Sequence, residues 1–385
     1  MDFLIIDILY KIFIIISNLI DVKLLTKSKI MSELTINDSH FDVEGKTVSI
    51  IGEQIFVDGK ELDISNIRGR AINISVSGNF QCLNVVSCDD IQVEGNVNNI
   101  CVGNGNVHTE NVTGNISVRR GNVNCGSVDG SVVTEGGDVN CDAVGGDVTV
   151  KDGNVECQDV SGDVTVEKGD VDCSDVGGGI SIQKGDINNC GDVSGNITVG
   201  DGDVDCGEVH GDISIQDGNV KECGDVSGNV TVGNGDVDCG EVGGDVSVQE
   251  GNVKECGDVS GNVTVGNGDV DCGVINGDLT VGSGDVDSGD IAGNLSIQNG
   301  NVLNCGTVEG DINVEVVNAK HAKIAPAAKV SVPPVHTHDA VRTPKSSDSA
   351  DVVPNDWNDE IYWFWNGGII FWCHFFFISC VKDLL

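Results

Sequence analysis

The sequence predicts an all-β fold, a parallel β-solenoid of about 13 coils of 16–17 residues behind an N-terminal β cap. Three observations carry this. The 23 residues from Gly218 to Gly240, GNVKECGDVSGNVTVGNGDVDCG, return unchanged from Gly251 to Gly273. A glycine opening a G-[DN]-[VI] unit recurs at Gly105, Gly121, Gly137, Gly153, Gly169, Gly185, Gly202, Gly218, Gly235, Gly251, Gly268, Gly284 and Gly300. Apolar residues alternate with polar ones inside every unit, the period of a strand with one buried face. Self-similarity at a short fixed period is the mark of a stacked repeat architecture.

Residues 1–30 form a strongly apolar leader, MDFLIIDILYKIFIIISNLI onward, interrupted by Asp7 and Lys11. It lacks the basic start and small-residue cleavage site of a signal peptide. Two readings stay open: a membrane anchor, with Lys23, Lys27 and Lys29 on the cytoplasmic side, or a start site assigned too early, since MSELTINDSHF from Met31 reads as an ordinary soluble beginning.

Residues 45–101 read as the N-terminal cap. Val48–Ile51 and Gln54–Val57 suggest a hairpin with Asp58-Gly59 as a turn, and GNFQCLNVVSCDDIQV, from Gly78 to Val93, as a divergent first coil. Solenoids need atypical terminal units to shield an open end.

The repeats occupy 102–317. In the coil from Gly235 to Glu250, GDVDCGEVGGDVSVQE, five side chains are expected inside: Val237, Cys239, Val242, Val246 and Val248. The glycines serve sharp corners that need positive φ. The repeat step lengthens from 16 to 17 at Gly185, Gly218 and Gly251, where one inserted residue before the cysteine reads as a β-bulge. Thirteen coils about 4.8 Å apart make a rod on the order of 60 Å.

Stacking turns each repeat position into a column. One column is Cys125, Cys141, Cys157, Cys173, Cys190, Cys206, Cys223, Cys239, Cys256 and Cys272, broken by Ser288 and resumed at Cys305. Metal sites want paired spacing such as C-x₂-C with histidine nearby, which the repeats do not have, and in-register cysteines on parallel strands have parallel Cβ vectors unsuited to disulfides. The column is therefore expected to be a structural row of small buried hydrophobes in a reducing compartment, with no metal and no cofactor. An outward hydroxyl column is Ser117, Thr149, Thr165, Ser181, Thr198, Ser214, Thr231, Ser247, Thr264, Thr280 and Ser296, broken by Val133. One hydroxyl per strand differs from the paired T-x-T of ice-binding faces, so these are ordinary outward strand residues.

After each opening glycine an Asn or Asp recurs: Asn106, Asn122, Asp138, Asn154, Asp170, Asp186, Asp203, Asn219, Asp236, Asn252 and Asp269. Mixing Asn among Asp relieves like-charge stacking and allows amide ladders. Two residues further on, Asp205, Lys221, Asp238, Lys254 and Asp271 alternate in sign, which suggests opposite charges side by side along the rod. Calcium-binding β-rolls have a nine-residue G-G-x-G-x-D period that is not found here. The N-x-[ST] sequons follow from the G-N-V-T repeat itself.

Residues 318–356, rich in Ala, Ser and Pro, read as a flexible linker. Residues 357–385 form an aromatic apolar tail whose stretch from Tyr362 to Val381 is long enough to span a membrane; a docking tail and translation from a shifted frame are the alternatives. All four Trp lie in this tail, leaving the repeats almost without large side chains.

With a formal charge of −40, the chain is a poor partner for nucleic acid or anionic lipid. Only His108 and His210 fall in the repeats, and no catalytic set stands apart from the repetition, so no enzyme is expected. The G-[DN]-V-x-C and G-[DN]-[VI]-[TS]-[VI] units, from about Gly95 to Val314, resemble the bacterial adhesin-type β-solenoids built on Gly-Asp-Val repeats; a lesser likeness is to bactofilins. The first resemblance implies a surface-associated or structural role and the second end-to-end polymers, neither with catalytic residues. The expected function is thus a non-enzymatic structural or adhesive rod offering polar faces to a protein or glycan surface. The alternative is a cytoplasmic, membrane-tethered scaffold whose partner is itself. Many free cysteines favour the cytoplasm over the cell surface, and either terminus offers a route to a membrane.

Overall fold

The computed structural model describes residues 32–36, 39–51, 54–63 and 73–315, and the backbone of four further short strands, Ala322–Ile324, Val330–Ser331, Trp365–Asn366 and Ile369–Ile370. Leader 1–30 and most of 318–356 and 357–385 lie outside the described residues, and with them the anchor, linker and membrane-span readings. Among the described residues no helix is long and apolar enough to cross a membrane.

The chain winds as a parallel β-solenoid of about 15 turns. Each coil from Gly185 to Asn299 contributes two short strands and one isolated bridge residue; in the coils opened by Gly121 to Gly169 that residue, such as Val144, belongs to the cysteine strand. Strands carrying the cysteines, such as Val220–Cys223, Val237–Cys239 and Val253–Cys256, stack in parallel on one side. Strands carrying the hydroxyls, such as Ile213–Asp217, Val230–Asn234 and Val246–Glu250, stack on another. Between them the lone Val209, Val226 and Val242 bridge in parallel to one another. At about 4.8 Å per turn the rod is on the order of 70 Å long.

The turn count exceeds the expected 13 because regular winding begins earlier and ends later than the glycine series shows. The long strands Phe80–Glu94 and Val97–Thr109 already pair in parallel over most of their length. After Val317, where the repeat spelling stops, Ala322–Ile324 and Val330–Ser331 still add in parallel to Val302–Val308 and Ile312–Val314. Stacking is a backbone property, and it continues where the side-chain signature has faded.

The N-terminal cap is larger than 45–101. Ser32–Ile36 pairs antiparallel with both Ser39–Val43 and Asn73–Ser77, and the latter joins Phe80–Glu94 in parallel. Thr47–Ile51 pairs antiparallel with Gln54–Val57, which pairs in turn with Lys60–Glu61. Asp58 (φ 48°) and Gly59 (φ 73°) make the turn between those last two strands. Asp58 Oδ1 accepts the Lys46 and Thr47 N–H groups, both at 3.0 Å, and the Thr47 hydroxyl at 3.1 Å, which together hold its carboxyl below the usual carboxylate range. Both strand stacks therefore end in antiparallel hairpins.

The five inward positions of the coil from Gly235 are all buried, none more than 3% exposed. A single coil of this size has nothing to close over them; neighbouring coils above and below supply the cover. The opening glycines meet two demands at once. Gly235 has φ 148°, and a Cβ there would lie 1.9 Å from the Gly218 carbonyl oxygen of the preceding coil.

The inserted residues are bulges. Pairing registers shift between Ile187 and Cys190, Val220 and Cys223, and Val253 and Cys256. In each, the residue before the cysteine, Asn189, Glu222 or Glu255, takes a left-handed φ of 47–48° and so turns the cysteine back inward. A fourth insertion, Leu303-Asn304 before Cys305, also shifts register; no opening glycine follows it, so the repeat step does not reveal it.

Candidate functional site

The structure gathers the cysteine column into one buried file. Pairs such as Cys125–Cys141, Cys141–Cys157, Cys157–Cys173, Cys190–Cys206, Cys223–Cys239 and Cys256–Cys272 are direct partners across adjacent strands. Neighbouring sulfurs touch: Sγ–Sγ is 2.7 Å for Cys125–Cys141, 3.4 Å for Cys206–Cys223 and 3.6 Å for Cys239–Cys256. All the column thiols are free, and none is more than 6% exposed. At the break, Ser288 is buried in the same place, with its hydroxyl 3.7 Å from Cys305 Sγ. Thr109 precedes Cys125 in the file, and its buried Oγ1 has no hydrogen-bond partner.

Burial pushes the Cys272 thiol up to about 12 and raises Cys305 as well. In the Cys239–Cys256 pair the shared thiol hydrogen bond raises Cys239 and lowers Cys256, since a thiolate at Cys256 would accept from its neighbour.

The hydroxyl column is equally continuous. Ser117, Val133, Thr149, Thr165, Ser181 and Thr198 are successive partners, as are Ser214, Thr231, Ser247, Thr264, Thr280 and Ser296. Ser247 and Ser296 are half-buried and the other hydroxyls exposed. At the Val133 break the order is inverted: Val133 is 41% exposed and Thr134 lies inside, donating to the Gly137 carbonyl at 3.3 Å.

The Asx column does not make the expected amide ladder. Its side-chain oxygens accept backbone N–H groups of the next coil instead. The Asp236 N–H donates to Asn219 Oδ1 and the Asn252 N–H to Asp236 Oδ1, both at 2.8 Å. At Asn219, Asn252 and Asn301, each following an Asp, the amide adds a second rung, as from Asn219 Nδ2 to Asp203 Oδ1 at 2.8 Å. The corner N–H points along the rod, so an oxygen one coil back satisfies it better than an amide stack would. A second such column, Asn196, Asp212, Asn229, Asp245 and Asn262, runs along another corner, and Asp175, Asp192, Asp225 and Asp258 accept backbone N–H groups of the next coil in the same way. The second column escaped the sequence reading, although the second G-[DN] of most coils spells it.

The alternating charges also pair differently from expectation. Lys221 and Lys254 reach back to Asp203 and Asp236 in the Asx column, not to Asp205 and Asp238. The bulge is the reason: after Val220 and Val253 the inserted residue carries the lysine out of register with the aspartate beside it. Burial pushes Asp203 up, but the Lys221 ammonium and the Asn219 backbone N–H outweigh it, leaving the carboxyl below the usual range. Asp236 behaves in the same way with Lys254 and Asn252. A carboxyl with a lowered folded pKa stabilises the fold above its unfolded value, about 3.9, and loses that contribution as pH falls through the folded value. Asp203→Asn keeps the oxygen that accepts the Asn219 N–H. The variant is expected to lose less stability than the parent between pH 6 and pH 3, as read from urea midpoints.

Elsewhere a shallow open depression lies over Gln92, Glu94, His108, Thr109, Glu110 and Asn124. Its imidazole sits with Nε2 3.8 Å from Asp90 Oδ1. Among the described residues no group of three or more His, Cys, Asp or Glu side chains converges as a metal cluster. No protein family model, curated protein or solved structure matches the chain.

Proposed function

We propose that this protein is a non-enzymatic structural rod that presents its repeated polar faces to a protein or glycan partner. The observation that carries the reading is the hydroxyl column, which from Thr149 to Ser296 places one outward Ser or Thr per coil at a spacing of about 4.8 Å. Such a face offers the same hydrogen-bonding group at every step, which suits a partner that is itself extended or repetitive. The backbone is held rigid behind it by Asx corners and continuous ladders. The antiparallel hairpins that close both stacks at the N-terminal end favour a rod of finite length over an end-to-end polymer.

Negative-stain microscopy tests the finite rod against the polymer. The full chain, and a chain ending at Val332 so that the final strands are retained, are both expected to appear as single particles about 70 Å long. Filaments in both preparations would overturn the finite rod in favour of a self-assembling scaffold. Clustering of the full chain alone would assign assembly to the aromatic tail.

A further inference from the structure

We propose that Cys125 and Cys141 form a hydroperoxide-sensitive pair, oxidised reversibly to a disulfide that ties two successive coils together. The site lies beyond the rod function and uses the inward face of the coils, not the outward hydroxyl column.

Three observations meet at this end of the file. Cys125 and Cys141 are direct partners on in-register strands, with an Sγ–Sγ distance of 2.7 Å. The contacts of 3.4 Å at Cys206–Cys223 and 3.6 Å at Cys239–Cys256 instead cross from a regular coil to a bulged one, where the cysteines are not strand partners. Strand partners stand about 4.8 Å apart, within the roughly 4.4–6.8 Å Cα separation of disulfides, so a bond of about 2.05 Å needs only a small side-chain movement. The second observation is Thr109, the partner of Cys125 on the preceding coil, whose buried Oγ1 has no hydrogen-bond partner. A neutral thiol is a weak acceptor, so this hydroxyl gains a strong bond only when the neighbouring sulfur carries charge. The third is access. Thr109 and Asn124, the chain neighbour of Cys125, line the open depression that also holds His108 and Glu110. The end of the file thus borders an open surface, and hydrogen peroxide is little larger than water.

The chemistry balances with hydrogen peroxide as the oxidant. The Cys125 thiolate attacks one peroxide oxygen; an S–O bond forms, the O–O bond breaks, and hydroxide leaves and takes up the proton that the thiol released. The Cys141 sulfur then attacks the sulfenic sulfur; the S–S bond forms, the S–O bond breaks, and hydroxide leaves with the Cys141 proton as a second water. Two electrons pass from the thiols to the peroxide. Parallel Cβ vectors leave the closed bond strained, and strained disulfides are the readily reduced, regulatory ones. A pair unsuited to a permanent cross-link is therefore suited to a reversible one.

Trypsin makes the site readable. The peptide Gly121–Lys151 carries Cys125 and Cys141 and no other cysteine, while Gly185–Lys221 and Glu222–Lys254 carry the consecutive pairs Cys190–Cys206 and Cys223–Cys239. The full chain, reduced and freed of reductant, is treated with hydrogen peroxide while folded, then unfolded in urea with excess iodoacetamide, digested and weighed by mass spectrometry. Gly121–Lys151 is expected to escape alkylation and to weigh about 2 Da less than its dithiol form, with dithiothreitol restoring both thiols. The other two peptides are expected to be fully alkylated. Cys141→Ser is expected to leave a sulfenic acid at Cys125, which dimedone labels on the same peptide. Thr109→Val is expected to slow the oxidation severalfold while the urea midpoint holds. Full alkylation of Gly121–Lys151 after peroxide would overturn the pair, as would equal oxidation of all three peptides. A cross-link from Gly121–Lys151 to Asp152–Lys168 would place the disulfide at Cys141–Cys157 and overturn it too. An unchanged rate in Thr109→Val would overturn the role of its hydroxyl.

Discussion

Gly235→Ala is expected to destabilise the solenoid by about 3 kcal/mol or more and to split its unfolding into two transitions. An alanine at φ 148° costs on the order of 1–3 kcal/mol in backbone strain alone. Its Cβ would also stand 1.9 Å from the Gly218 oxygen, so the two coils must part. Parting weakens the Gly218 N–H bond to the Asn234 carbonyl and the Asp236 N–H bond to Asn219 Oδ1, each 2.8 Å long. Stability in a stacked repeat is a sum of coil and interface terms, so one weak interface in the middle uncouples the halves. Gly59→Ala is the comparison: φ there is 73°, with no atom within 4 Å of the added carbon, so the expected loss is about 1 kcal/mol in a single transition. Guanidinium melts followed by circular dichroism read both outcomes. A normal single transition for Gly235→Ala would mean that the coils do not stack this closely.

Val230→Asp and Thr231→Asp, adjacent in sequence, are expected to differ by several kcal/mol. Val230 is fully buried between Ile213 and Val246, and a carboxyl there has no partner in an apolar layer. Burying such a group is among the few single changes that exceed about 4 kcal/mol. Thr231 is exposed between Ser214 and Ser247, and its replacement is expected to cost within about 0.5 kcal/mol. Denaturant midpoints of the two variants measure the contrast. Equal losses would remove the inside–outside assignment of this strand, and with it the outward hydroxyl face.

Much of this was legible because a narrow solenoid has few solutions. The period of 16 or 17 fixed the coil, and the alternation around Val237, Cys239, Val246 and Val248 fixed which side chains face inward. The bulges at Asn189, Glu222 and Glu255 were legible as single inserted letters. Other features were hidden for physical reasons. Strands 322–324 and 330–331 join by backbone pairing alone, with no glycine or cysteine signature to announce them. Ser32–Ile36 is part of the cap only because Asn73–Ser77, far along the chain, pairs with it.

The sequence by itself determined the repeat, the inward and outward columns and the places where the chain must bend, since these depend on local periodicity and on the backbone freedom of glycine. Tertiary structure alone decided where the polar groups of one coil find partners in the next. The Asx oxygens go to backbone N–H groups, the bulge lysines reach Asp203 and Asp236, and thiols sixteen or seventeen residues apart come into contact. These contacts follow from the offset between coils along the rod, a length of a few ångströms that no single coil encodes.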